Sequence, residues 1–164
     1  MNASKVLHPF PPVFNSHSRI LILGSFPSVR SRELGFYYGH PQNRFWPLLA
    51  RLFDEPCIPQ STEQRRAFAL AHGVALWDVI ASCEITGSSD ASIRNAVVND
   101  IPGLLSRTQI QHIFCNGKQA FTLFQKHFDL PVTLLPSTSA ANAAWSLEKL
   151  ANAWQVIQDA RTSG

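Results

Sequence analysis

Residues 19–46 read RILILGSFPSVRSRELGFYYGHPQNRFW, and the fold class follows from how this stretch opens. RILIL at 19–23 is an unbroken apolar run after its arginine, and it stops at Gly24. A strand with one wet face alternates apolar and polar residues. One that is apolar throughout is buried on both faces, as in a parallel sheet covered by helices. Three later runs have the same character: VALW at 74–77, IQHIFC at 110–115 and VTLL at 132–135.

Between these runs the apolar period becomes helical. Phe45, Trp46, Leu48, Leu49 and Leu52 lie on a helix whose Pro47 is tolerated only near the first turn. Ser61 and Gln64 fit a capping box, and Gly73 is a stop signal after RRAFALAH. Asp100 and Pro102 predict the start of a short helix. Residues 118–127 and 145–157 carry apolar stripes at helical spacing. Strands alternating with helices predict an α/β fold: a three-layer α/β/α sandwich around a central, mainly parallel four-stranded sheet. With no linker, repeat or low-complexity tract, residues 1–164 read as one domain with its core over about 19–160.

Hydrophobic residues make up 45% and charged residues 15% of the 164, a globular composition. Cys57, Cys83 and Cys115 show no metal-site spacing, so neither a metal nor another cofactor is expected, and the reducing cytoplasm is the expected compartment. No secretory leader or membrane span is expected. Residues 1–66 hold 8 Lys+Arg against 4 Asp+Glu, while the rest holds 6 against 7. The excess charge is therefore concentrated around Arg30, Arg32 and Arg44, which suits a surface meeting phosphates and equally a solvated face.

Ligands of such sheets bind beyond the carboxyl ends of the strands. After the first strand, residues 24–46 are denser in aromatics, turn formers and hydrogen-bonding groups than a connection requires. After the last strand, PSTSAANA at 136–143 offers Ser137, Thr138, Ser139 and Asn142, either as donors to phosphate or, for Ser139 and Asn142, as helix caps. Asp78 and the pair Asn116-Gly117 follow the two remaining strands. Asp78 suits a binding site or a cap, and Asn116 a site or a simple turn. His72 and His112 read as structural.

A strand ending in G-x-x-P, an aromatic pair before HPxNRFW, a GV-apolar strand ending in a polar residue and a PSxS loop together resemble the uracil-DNA glycosylase superfamily. HPQNRFW at 40–46 is similar to the mismatch-specific uracil glycosylases. GSFPS at 24–28 with YYGHPQN and PSTS resembles the hypoxanthine-DNA glycosylase branch more closely. Uracil-cleaving branches commonly place a catalytic Asp or Asn where this chain has Phe26, and a phenyl ring cannot orient water.

The resemblance implies a DNA repair glycosylase that hydrolyses the N-glycosidic bond of a deaminated base, hypoxanthine favoured. Its catalytic residue is then Asn43, whose carboxamide oxygen is expected to position water, although Asn43 also suits a helix cap. Tyr38, Phe26, Asp78, His40 and Asn116 are the candidates for contact with a flipped base, Tyr38 by stacking and Asp78 by accepting from N1–H of hypoxanthine. His40 suits loop orientation as well as proton transfer. Ser28, Arg30, Arg44, Ser137, Thr138, Ser139 and Asn142 are the candidates for contact with DNA. The expected partner is DNA carrying a deaminated base, met by a monomer away from any membrane. A uracil or mismatch glycosylase, a damage-binding module without catalysis, and a phosphate-binding α/β enzyme are the competing readings.

Overall fold

The computed structural model describes residues 4–85 and 93–162. In chain order the elements are β1 (Ser4–Leu7), β2 (Ile20–Gly24), α1 (Val29–Leu34), α2 (Phe45–Leu52), α3 (Thr62–Ala71), β3 (Val74–Asp78), β4 (Ile80–Ile85), β5 (Arg94–Val98), α4 (Ile101–Ser106), β6 (His112–Asn116), α5 (Lys118–His127), β7 (Thr133–Leu135) and α6 (Leu147–Thr162). The four apolar runs form one sheet in the order β3-β2-β6-β7, and every pairing in it is parallel.

β2 is buried at all five positions, as its composition requires. Ile20 and Ile22 face a core built with Phe45, Trp46, Leu48, Leu49 and Trp154 from α2 and α6, together with Ala69 of α3. Leu21 and Leu23 face the other way, onto Ile101 and Leu104 of α4 and Ala120 and Phe124 of α5. The sheet is thus the middle of three layers, as the sequence predicts.

Local signals act where expected. The Ser61–Gln64 capping box is complete, and Gly73 turns the chain with φ +72°. Asp100 caps α4, and its side chain accepts from Gly103 N–H. The cap of α6 differs from the expectation: Ser146 Oγ accepts from Lys149 N–H at 3.1 Å, while Ser139 and Asn142 order the loop before it.

A second sheet does not follow from the apolar runs. β4 starts two residues after β3 ends, pairs antiparallel with β1 and β5, and makes a three-stranded sheet in the order β1-β4-β5. β1 and β5 are its edges, and the largely buried central β4 mixes polar with apolar residues, so these strands lack the continuous apolar signature. Beyond β1 the chain is pinned beside β3 by two backbone hydrogen bonds between Val13 and Leu76, each 2.9 Å. α1 lies within the loop expected after β2; Ser28 caps it by accepting from Ser31 N–H at 3.2 Å.

Candidate active site

The register of the parallel sheet decides which residues meet. Gly24 pairs with Asp78, Leu23 with Cys115 and Asn116 with Leu135, so the carboxyl ends of four strands lie side by side. A pocket of about 140 Å³ sits on that edge, lined among others by Gly24, Phe26, Tyr38, Asn43, Asp78 and Asn116. A wider groove of about 680 Å³ adjoins it through Ser25, Asn116, Ser137 and Ser139, and continues to Lys118, Gln119 and Trp145. Candidates from four separated stretches of sequence therefore share one wall.

Asn43 is half-buried between α2 and the PSTS loop. Its Oδ1 accepts from Phe45 N–H at 2.9 Å and from the Thr138 hydroxyl at 2.8 Å. A backbone N–H can only donate, so the amide orientation is fixed with oxygen toward α2. Both oxygen lone pairs are then engaged, and Nδ2 has no hydrogen-bond acceptor among the described residues. The expectation that the carboxamide oxygen positions water is corrected: the group Asn43 can offer to a ligand is a donor.

Thr138 is fully buried. Besides donating to Asn43 it accepts from Asn116 Nδ2 at 3.0 Å, and its N–H donates to Asn116 Oδ1 at 3.0 Å. Thr138 thus ties Asn43 to Asn116 and has no exposed hydroxyl for phosphate, which corrects its expected place at a DNA surface. Asn116 uses both amide atoms on this link, so its contribution to the pocket wall is chiefly rigidity. Gly117 follows with φ +99°, where a Cβ would press on Ser137 at 3.2 Å.

Arg44 is likewise turned inward. Its Nη2 donates to the carbonyls of Ser139 at 2.8 Å and Asn142 at 3.1 Å, its Nη1 to that of Trp145, and its Nε to that of Thr138 at 3.4 Å. A guanidinium with four carbonyl acceptors is a loop brace, so the expected outward contact with DNA is not available to it. Asn142 Nδ2 closes the same loop on the Ser137 carbonyl at 3.0 Å. Ser137 and Ser139 line both cavities, Arg30 is exposed on α1, and Ser28 is exposed while capping that helix.

Tyr38 lies stacked on Phe45, with ring centroids 3.9 Å apart and planes 21° from parallel. One ring face is therefore covered by protein. Its backbone has φ +53°, the left-handed region that a bulky residue adopts only when surroundings hold it there. Its hydroxyl is buried without a hydrogen-bond partner among the described residues, and burial, then the Asp78 charge, pushes its ionisation well above the ordinary tyrosine value. Asn116 acts in the opposite direction, lowering it. Tyr37 is shifted upward for the same two leading reasons, and its hydroxyl donates to the Pro11 carbonyl at 3.0 Å.

Asp78 is not a cap. Its Oδ2 meets His8 Nε2 at 2.7 Å, with both side chains only 5% exposed. Its Oδ1 lies over Gly24, where a Cβ would collide with it, and the Tyr38 hydroxyl is 3.5 Å from the same point. Glycine is required at 24 for that close approach. Phe26 is buried against Ile80, Cys83 and Ile85 and shows the pocket an apolar face. His40 is exposed and outside the pocket wall; its Nδ1 accepts from Gln42 N–H at 3.1 Å, so the structure supports loop orientation rather than base contact. His72 is structural as expected: it stacks on Phe53 at 4.4 Å and pairs with Glu55 at 2.9 Å.

His8 is the site residue that sequence reasoning missed. It lies just past β1 in an ordinary-looking stretch, and its partner is 70 residues away. No local spacing signals such a pair.

The family model of the uracil DNA glycosylase superfamily matches residues 11–161. A protein of Methanosarcina acetivorans named hypoxanthine DNA glycosylase is 30% identical over 151 residues, covering 90% of this chain and 95% of the relative. A protein of the same name from Methanosarcina barkeri is 30% identical over 148 residues, covering 88% and 93%. The solution structure of a candidate uracil DNA glycosylase from M. acetivorans superposes with a TM-score of 0.74 at 29% identity, covering 91% of this chain and 96% of that one. With a parallel sheet that gathers Gly24, Asn43, Asp78 and Thr138 at one edge, and a family match over nearly its whole length, the chain belongs to the uracil DNA glycosylase superfamily.

Proposed function

We propose that this chain hydrolyses the N-glycosidic bond of deoxyinosine in DNA, releasing hypoxanthine and leaving an abasic site. The observation that carries the reading is the pair of groups over Gly24: Asp78 Oδ1, an acceptor, and the Tyr38 hydroxyl, a donor with no hydrogen-bond partner among the described residues. Deamination of adenine changes N1 from an acceptor to an N–H donor and the 6-amino donor to a carbonyl acceptor. A wall offering one acceptor and one donor matches the deaminated edge and opposes the adenine edge. The two relatives named hypoxanthine DNA glycosylase support the same substrate.

In the reaction the C1′–N9 bond breaks with its electron pair passing to the base. Water adds to C1′ and loses a proton, and the base leaves as neutral hypoxanthine. The Asn43 Nδ2 hydrogens, held toward the pocket by Phe45 and Thr138, donate to an acceptor of the leaving base as negative charge builds on it. This is preorganised electrostatic stabilisation: the amide cannot turn without breaking two hydrogen bonds. An amide, a carboxyl and a hydroxyl are the acting groups, and none of these roles calls for a metal. The adjoining groove, with Lys118, Ser137, Ser139 and Trp145, would carry the strand flanking the flipped nucleotide. We take the enzyme to act as a monomer in the cytoplasm, a reducing compartment that the free Cys57, Cys83 and Cys115 suit.

The test is single-turnover incubation with labelled duplexes carrying one deoxyinosine, deoxyuridine, deoxyxanthosine or deoxyadenosine, followed by alkali. Cleavage at deoxyinosine and none at deoxyadenosine is expected, with at least a hundredfold loss in a folded Asn43→Ala variant that still binds DNA. Uracil also presents an N–H beside a carbonyl, so faster cleavage at deoxyuridine would move the assignment to a uracil glycosylase. Cleavage at none of the four would leave a binding module.

A further inference from the structure

We infer that His8 is a positioning and specificity-determining residue, which holds the Asp78 carboxyl so that Oδ1 always faces the pocket as an acceptor. The inference rests on the pocket being a base-reading site and adds a residue from outside its wall. His8 Nδ1 stands 2.8 Å from the Phe10 carbonyl, an atom that can only accept, so Nδ1 carries a hydrogen. His8 Nε2 stands 2.7 Å from Asp78 Oδ2, which requires one proton between them. That proton sits either on the ring, giving an imidazolium and a carboxylate, or on Oδ2, giving a neutral ring and a carboxylic acid. In both arrangements it is on the His8 side of Asp78, and Oδ1 keeps its lone pairs for the ligand.

The surroundings hold this arrangement in place. The His8 ring packs edge-on against Phe10 with centroids 4.7 Å apart and against Phe26 at 6.0 Å, and lies tilted toward Tyr37 at 5.9 Å. The His8 backbone N–H donates to the Ala81 carbonyl at 2.8 Å, which fixes the chain to β4. On the far side, Asn99 Nδ2 donates to the Asp78 carbonyl at 2.8 Å. Without His8, Oδ2 loses its donor and the carboxyl is free to turn, so the pocket no longer meets an acceptor fixed against N1–H of the deaminated base.

The experiment is a double-mutant cycle on single-turnover base excision, using His8→Leu and Asp78→Asn singly and together, with His8→Gln as the conservative variant. Melting curves establish that each protein is folded. His8→Leu is expected to slow deoxyinosine excision by about 30-fold or more, and to shrink the deoxyinosine to deoxyadenosine ratio with it. In the Asp78→Asn background the same change is expected to cost no more than about threefold, because its route of action is already gone. His8→Gln, whose amide donates to Oδ2, is expected to recover much of the lost rate and ratio. Equal losses from His8→Leu in both backgrounds, with the ratio unmoved, would show His8 to be mere packing.

A second arm needs no turnover: nitrogen-15 spectra of the wild-type imidazole are expected to show a protonated Nδ1 and a ring signal that moves in Asp78→Asn. A bare Nδ1 overturns the inference. A wild type inactive on deoxyinosine overturns the substrate reading, and with it the role of His8 in base choice, whereas an active wild type with an additive cycle overturns the His8 role alone.

Discussion

The Thr138 hydroxyl donates to Asn43 Oδ1 across 2.8 Å and 95 residues of sequence. That bond, with the one from Phe45 N–H, decides which end of the Asn43 amide the pocket meets. Thr138→Val keeps the shape and removes the donor, leaving Asn43 with one anchor. Single-turnover excision is expected to fall about tenfold or more while DNA affinity stays within about twofold, and Thr138→Ser is expected to recover most of the rate. Equal losses in Val and Ser variants would mean that methyl packing, not orientation, is the contribution of Thr138.

Arg44 holds four carbonyls of the loop that supplies Thr138. Arg44→Lys keeps the charge but loses the planar fork, so buried acceptors are left unmet. A stability loss of about 1–3 kcal/mol in urea unfolding is expected, with slower excision at a temperature where the variant is folded. If the variant instead kept its stability and lost only salt-sensitive DNA affinity, Arg44 would be a phosphate contact after all.

Gly24→Ala adds one methyl group where Asp78 Oδ1 lies. The carboxyl must shift, and the donor and acceptor that read the base move apart. Excision of deoxyinosine is expected to drop by about a hundredfold. Gly35 has open space around it, so Gly35→Ala in the same assay is the contrast, strained by its φ of +80° but distant in effect from Asp78.

Tyr37 and Tyr38 are the chain's two tyrosines, so phenolate absorbance reports on nothing else. Burial raises both folded-state ionisations far above the ordinary value, which an unfolded chain recovers. A raised folded value stabilises the native state fully below the unfolded one, about pH 10, and that stability is lost as pH rises beyond it. The loss is expected to approach about 1.4 kcal/mol per tyrosine for each pH unit above 10. Alkaline titration is therefore expected to show phenolate and unfolding together. Phenolate appearing near pH 10 in a protein with native circular dichroism would contradict the burial of both hydroxyls.

With Arg44 turned inward, Arg30 on α1 and Lys118 at the groove are exposed cations among the described residues. Arg30→Ala and Lys118→Ala are each expected to lower the slope of log affinity against log salt by about one, with little change in the excision rate of bound substrate. Unchanged slopes would place the phosphate track elsewhere.

By itself the sequence determined the layers. RILIL, VALW and the later runs are apolar at consecutive positions, and burial on both faces is the arrangement that satisfies such a pattern, so the parallel sheet and its helices were legible from period alone. Capping of α3 by Ser61 and α4 by Asp100 was legible too, because a cap acts over three residues. Residues 24–46 and PSTS could be marked as site segments for their polar and turn-forming content after strand ends, and the family resemblance singled out HPQN. What each side chain does there was decided only by tertiary structure. Asn43 shows the pocket its amide hydrogens because Thr138 and Phe45 hold its oxygen, and Arg44 leaves the DNA surface because loop carbonyls converge on it. Asp78 acquires His8 from just beyond β1 of the second sheet, whose exposed and half-buried residues carry no strong period. Hydrogen bonds between residues 70 to 95 positions apart leave no trace in local periodicity, since their geometry exists only once the sheet register has set the strand ends side by side.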